Sequence, residues 1–150
     1  MAQPALSLRA RALRSLARRE HTRSELRRKL APHEETEGQL DDLLDALQAQ
    51  GFLSDERAAA SLVHRRAARL GTQRLRQELQ AKGLDASTVD AALEGLGGTE
   101  LERARVLWER KFGAPAPDAA GRARQVRFLL ARGFASDTVR RVVRGVEDDF

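Results

Sequence analysis

Shifting the chain by 50 residues lays positions 74–96 over 124–146 without a gap. Seven of the 23 pairs are identical: Arg74/Arg124, Leu79/Leu129, Ala81/Ala131, Gly83/Gly133, Thr88/Thr138, Val89/Val139 and Gly95/Gly145. Leu84/Phe134, Leu93/Val143 and Leu96/Val146 stay apolar. A shift of 49 sets Leu26 on Leu75, Leu30 on Leu79, Arg27 on Arg76, Leu40 on Val89, Leu44 on Leu93 and Leu47 on Leu96. The pattern predicts one unit of three helices used three times, at about 4–51, 52–98 and 99–147, within a single domain 1–150. A lone unit of that size buries too little surface to be secure. Stacked neighbours supply the missing burial, so the expected fold is all-α, three tandem three-helix repeats in an elongated, curved array. A single globular bundle of nine helices would not require the matching register.

Apolar residues recur at helical spacing almost throughout, and no stretch sustains strand alternation. The first helix is expected to turn Leu6, Ala10, Leu13, Leu16 and Ala17 to the core. Thr22 and Glu25 match a capping box, and Thr36 with Gln39 is a second candidate. Pro32 is expected to stop the second helix. Ser54, Asp85, Asp118 and Ser136 are cap candidates, as are Thr72 and Thr99. Gly71 is expected to close a helix in the left-handed conformation. Gly51, Gly83 and Gly133 each stand before a large apolar residue (Phe52, Leu84, Phe134), where the hydrophobic contact of a helix-ending motif falls.

An enzyme is poorly supported. There is no cysteine, and His21, His33 and His64 lie in three different segments with no metal-ligand spacing. The serines mostly sit at caps, and the glycines mark helix ends without forming a phosphate loop. Asp41 and Asp45 share a helix face that could chelate a cation, although a solvated helix surface is the better explanation. Trp108, with Leu107 and Phe112, reads as core. No catalytic residue, metal or cofactor is expected. The absence of cysteine suits a reducing compartment. No apolar run nears the roughly 20 residues a membrane helix needs, and no signal peptide is seen. A cytoplasmic monomer is therefore the expectation.

The formal charge is +5, with net +4 in residues 101–150 despite the acidic Glu147, Asp148 and Asp149. Arginine thus becomes the remaining candidate for chemistry. In the stretch 52–84, Ala59, Leu62 and Val63 form an apolar stripe that runs into Arg66 and Arg69. Two readings compete. Arg66 either reaches a carboxylate on the next helix, such as Glu78, or faces a groove and an acidic partner together with Arg65 and Arg69. Arg57 and Arg74 are surface candidates. Arg124, Arg127, Arg140 and Arg144 would coat two helices of the third unit and could track phosphates.

Several of these residues resemble a known family. Gly51, Phe52 and Leu53, then Asp55, Arg57, Ala59, Leu62, Val63, Arg66, Gly71, Arg74, Leu75, Glu78, Leu79, Lys82, Gly83 and Leu84, are similar to the RecX family of regulators of the recombinase RecA. Ala12, Leu13 and Leu16 with Arg23, Ser24, Leu26, Lys29 and Leu30 fit its first unit. Arg127, Phe128, Leu129, Arg132, Gly133 and Phe134 fit its last. Ala58 departs from the family, which usually has phenylalanine there. The resemblance implies three tandem three-helix repeats and no catalysis. It further implies binding in the groove of the RecA filament on single-stranded DNA, with suppression of ATP hydrolysis, strand exchange and co-protease activity. It also implies weak DNA binding in some members. The expected partner contacts are Arg57, Arg65, Arg66, Arg69, Arg74, Arg124, Arg127, Arg140 and Arg144. A direct DNA-binding protein that uses the basic last repeat is the alternative.

Overall fold

The computed structural model describes residues 5–144, and Gly145, Val146 and the acidic Glu147, Asp148 and Asp149 lie outside them. Among the described residues there are nine α-helices and two 3-10 turns, and no strand. The helices are α1 (Leu8–Arg18), α2 (Arg23–Leu30), α3 (Gln39–Ala49), α4 (Asp55–Arg66), α5 (Thr72–Ala81), α6 (Ala86–Leu93), α7 (Glu100–Lys111), α8 (Ala119–Ala131) and α9 (Ser136–Arg144). Pro32 sits in the 3-10 turn that follows α2. The chain divides into two compact units, one of Met1–Ser61 with Leu79–Val89, the other of Leu62–Glu78 with Asp90–Phe150. The outer repeats stay whole, while the middle one is shared out. Its α5–α6 turn belongs to the first unit and its α4–α5 turn to the second.

In the first unit Leu8, Ala12, Leu26, Leu30, Leu40, Leu44, Leu47 and Leu53 form the core. Each fully buried leucine contributes roughly 1.5–3 kcal/mol. The face of α1 differs from the sequence expectation. Leu6 is exposed, and Leu8, Ala12 and Ser15 are the buried positions, with Leu13 and Leu16 leaning on the core from the side. Leu6 lies before the helix, because Ser7 is the N-cap and accepts from the Ala10 N–H. Phe52 is likewise exposed, and Leu53 is the buried residue after Gly51.

The caps at Thr22, Ser54, Asp85 and Asp118 are present. Others differ. Gly38, at φ +86°, is the N-cap of α3, and Glu34 accepts from the Leu40 N–H at 2.7 Å where a Thr36 box was expected. Thr99 donates its hydroxyl to the Leu96 carbonyl and makes no cap. Ser136 is the first helical residue of α9, and the Ala135 carbonyl before it accepts the Val139 N–H.

Each unit contains a joint of the same kind. In the first, the Thr22 hydroxyl donates to the carbonyl of Lys82 at 2.7 Å. Gly83 follows at φ +79°, and a Cβ there would strike the Ser24 side chain. The N-terminus of α2 is thereby set against the end of α5. The Lys82 ammonium completes the joint on Glu25 at 3.0 Å.

In the second unit the Gly71 N–H donates to the carbonyl of Arg132 at 2.7 Å. Gly133 follows at φ +88°, pressed on the backbone of Arg74. Gly71 itself is not left-handed, which corrects the expectation for it. It is glycine because a Cβ would overlap the backbone of Gly133 and Phe134. Thr72 also does not cap by its side chain. Its N–H is taken by the Glu100 carboxylate at 3.1 Å. The core of this unit is Ala104, Trp108, Leu129, Phe134, Val139, Val142 and Val143. Within it the Trp108 indole donates to Gln125 at 3.1 Å, and Gln125 donates to the Ala114 carbonyl.

Gly71→Ala is expected to cost more than about 2 kcal/mol although alanine is the better helix former, because backbone must move to admit the methyl. Gly97→Ala, in open space, is the matched control and should stay within about 0.5 kcal/mol in urea melts. Equal stability of the two variants would contradict the close packing at Gly71.

Acid should loosen the first joint in two steps. Burial holds the His21 imidazole below its usual value, so stability falls as pH drops below 6.5 and this ring is forced to protonate. Burial opposes ionisation of Glu25, but bonds from Arg19, the Thr22 N–H and Lys82 overcome it and hold its carboxyl at about 2. Its contribution, at most about 3 kcal/mol, is therefore complete above 4.5 and lost between there and 2. Glu25→Gln should flatten that lower limb of a melting-temperature profile and leave the upper one.

Candidate partner interface

Of the nine arginines expected to meet a partner, Arg57 belongs to the first unit and the other eight to the second. Arg57 is exposed and its Nε donates to Glu20 at 3.0 Å. Arg66 forms the ion pair that the first of its two readings expected. It is half-buried at the end of α4, and its Nε donates to Glu78 Oε2 of α5 at 2.7 Å. The guanidinium that interrupts the apolar stripe thus ties α4 to α5, with its stem lying along the stripe. A pair this exposed contributes roughly 0.5–1 kcal/mol. Arg65 and Arg69, on either side, are exposed.

Arg74 is exposed as a side chain, but its backbone is seated on Gly133, so its position depends on the second joint. Arg124 and Arg127 stand one turn apart on α8 and are exposed; Arg140 and Arg144 do the same on α9. Arg140 pairs with Asp137 one turn before it. Arg69, Arg124 and Arg127 have no carboxylate partner among the described residues. Beside them Phe128 has the Lys111 ammonium 5.5 Å and the Arg132 guanidinium 5.1 Å from its ring centre, and Phe112 stands edge-on to it at 5.4 Å. Such an array can bind carboxylates or phosphates through guanidinium forks.

Arg103, which the sequence reading passed over, holds the scaffold beneath these groups. Its Nη1 donates to the carbonyls of Ala67 at 2.9 Å and Leu70 at 2.5 Å. Nη2 donates to the Thr72 hydroxyl at 3.0 Å, and Nε to the Thr99 hydroxyl at 3.1 Å. The plane lies 5.9 Å from the centre of the Phe134 ring. Burial pulls its pKa down and Glu100 nearby pulls it up. It satisfies two carbonyls of the turn that follows α4, and so fixes the segment that carries Arg69. In the sequence it is one of three arginines on a helix read for its apolar face, with nothing local to set it apart from Arg105 or Arg110.

Asp41 and Asp45 do not share a cation. Asp41 pairs with Arg27, and Asp45 with Arg23 at 2.8 Å. Among the described residues no group of three or more His, Asp or Glu is gathered to hold a metal, and no helix is long and apolar enough to cross a membrane.

Arg103→Ala is expected to lower stability by about 2–4 kcal/mol, since two carbonyls and two hydroxyls lose one donor group together. Arg103→Lys should recover only a small part, a single ammonium being unable to span the fork. A lysine variant as stable as the parent chain would show that charge, not the fork, is what matters.

Comparisons with known proteins agree with this architecture. Three family models match in chain order: the first three-helix domain of RecX over 9–47, the second over 54–93 and the third over 99–143. The regulatory protein RecX of Leptothrix cholodnii is 57% identical over 142 residues, covering 95% of this chain and 90% of its own. That of Ralstonia pickettii is 50% identical over 143 residues, with the same coverage. The crystal structure of RecX from Lactobacillus salivarius superposes with a TM-score of 0.76 at 20% identity, over 93% of this chain and 94% of that one. A second RecX crystal structure gives 0.73 at 23% identity, over 93% and 80%.

Proposed function

The chain belongs to the RecX family, and we propose on that footing that it regulates the recombinase RecA. It binds the RecA filament on single-stranded DNA, lodging in the filament groove across neighbouring subunits. It thereby suppresses ATP hydrolysis, strand exchange and co-protease activity, and so modulates DNA repair and the SOS response. The observation that carries this reading is the unbroken run of three RecX-type domains from 9 to 143, with more than half of the residues shared with one relative. Repeats at about 4–51, 52–98 and 99–147 suit a long groove, because modest contacts on successive repeats add up. The protein acts without catalysis or cofactor, as a cytoplasmic monomer.

The nine arginines divide by their bonds. Arg66 positions α4 through Glu78, and Arg57 and Arg140 each hold an intramolecular carboxylate. Arg69, Arg124 and Arg127 hold none, so a partner carboxylate meets them without first displacing another, and they are our leading contacts. Arg65 on α4, Arg74 on α5 and Arg144 on α9 complete the set. The rival reading, a direct DNA-binding protein that uses the third repeat, rests on the arginines of α8 and α9 and predicts binding without RecA.

The purified protein should inhibit the ATPase of RecA on single-stranded DNA at concentrations well below that of RecA. A combined Arg69→Ala, Arg124→Ala and Arg127→Ala variant should need at least about ten times more protein while melting like the parent, as expected when several charge-assisted contacts of roughly 1–2 kcal/mol are lost. Arg66→Ala should instead lose stability to the same extent as Glu78→Ala. Absence of inhibition by the parent protein at any substoichiometric level would refute the proposal.

A further inference from the structure

The first repeat carries a concentration of charge that the fifty-residue averages conceal. Residues 1–33 hold nine basic side chains and only two acidic ones, Glu20 and Glu25, a net of +7. The acids that cancel this count in the sequence begin at Glu34. Both acids of the segment are already committed, Glu20 to Arg57 and Glu25 to Arg19 and Lys82. Helix α1 contains four arginines and no acid at all. Three of them, Arg11, Arg14 and Arg18, fall within one face of the helix, beside its buried stripe.

They border a cleft of about 340 Å³ completed by Lys29, Leu30 and His33 from α2 and the turn after it. Leu30 is buried and makes an apolar floor. Among the described residues none of Arg11, Arg14, Arg18 or Lys29 has a salt bridge or a side-chain hydrogen bond. Four cations converging on one concavity repel one another, at a cost that an anion filling it relieves. Other arginines without a carboxylate, such as Arg69, Arg124 and Arg127, stand on exposed surface, whereas these four cations share one concavity.

We propose that this cleft is a binding site for the phosphodiester backbone of a nucleic-acid strand. Its walls are helices whose backbone groups are spent internally, so it has no edge on which a peptide main chain could pair. Its one ring is the small His33 imidazole, and it has no Phe, Tyr or Trp to make a platform for successive bases, so it recognises phosphate without sequence preference. At 1.5 Å per residue, Arg11 to Arg18 spans about 10 Å, and a strand carries one charge per roughly 3.4 Å along a duplex axis. About three phosphates therefore face three guanidiniums, with Lys29 opposite. The site is formed by the first repeat alone and does not include the arginines of α8 and α9 on which the rival DNA-binding reading rests. It stands whether or not the chain regulates a recombinase.

The test uses the full-length protein and a fluorescent oligothymidylate, without RecA, followed by anisotropy over a salt series. The Arg11→Ala, Arg14→Ala and Lys29→Ala triple variant should lower the log–log salt slope by about 2, since each contact to a single strand contributes about 0.7. It should also bind at least about ten times more weakly in low salt. The corresponding arginine-to-lysine change at Arg11 and Arg14 should keep the slope, and both variants should melt like the parent. The proposal is overturned if the triple variant retains the parent's slope, or if Arg124→Ala with Arg127→Ala removes the slope instead. It is equally overturned if polyglutamate of matched charge competes as well as unlabelled oligothymidylate and loses its binding in the triple variant, which would make the cleft a seat for an acidic protein.

Discussion

A helix ends with carbonyls that have no partner inside it. In this protein two such carbonyls, those of Lys82 and Arg132, are answered by the start of a helix from the preceding repeat. The donor reaches them because the next residue is a glycine in the left-handed conformation, which turns the chain away and leaves no side chain in the gap. A hydrogen bond of this kind is worth only about 1 kcal/mol net. Its larger effect is geometric, since it seats the start of one helix directly on the end of another and allows one register. The division of the chain follows from it. The middle repeat contributes its two turns to two different compact units, so it is the neighbours that complete it.

The same joints decide which arginines serve the fold and which stay available. The turn from α4 to α5 must present carbonyls to something once its helix stops. Arg103 supplies five donors in one rigid fork and closes the turn, and its plane lies close to the ring of Phe134, the residue after Gly133. Arg66 secures the same turn from the other side through Glu78. With two arginines consumed in this way, Arg69 is carried on a fixed platform and has no carboxylate of its own. A net charge says nothing of this division. Two arginines three positions apart, Arg66 and Arg69, differ in that only Arg66 holds a carboxylate.

Much of this was legible beforehand, for identifiable reasons. Repeated glycines with apolar neighbours at a spacing of 50 gave away the helix ends, because few residues other than glycine take positive φ. Capping at Thr22, Ser54, Asp85 and Asp118 was readable because the partners lie within three residues. The misreadings at Thr72 and Gly71 share a cause, a competing partner remote in sequence, while those at Thr99, Thr36 and Leu6 turn on a rival group a few residues away. Thr72 and Thr99 look like caps until Glu100 and Arg103 take their places. Gly71 looks like a terminator until its contact with Gly133, more than sixty residues on, gives it another reason to be glycine. Leu6 was expected in the core from helical spacing and Phe52 at the contact of a helix-ending motif, and in each case a leucine one or two residues later is the one buried. Arg103 gave no local sign, since all its acceptors but Thr99 come from a different repeat.

The two joints also show what a repeat must keep and what it can vary. At one the donor is a threonine hydroxyl, at the other a glycine N–H; the cation before the glycine is a lysine in one and an arginine in the other. Constant across both are a glycine at positive φ and an open carbonyl just before it. Those two features depend on backbone alone, so the outer faces of the helices are released from the demands of stacking. That freedom is visible in α1, with four arginines and no acid, against α3, which has three aspartates and no cation. Repeats assembled through backbone joints can therefore carry unlike charge on like scaffolds, and a charge averaged over a whole repeat, as in the first, hides the face where it is concentrated.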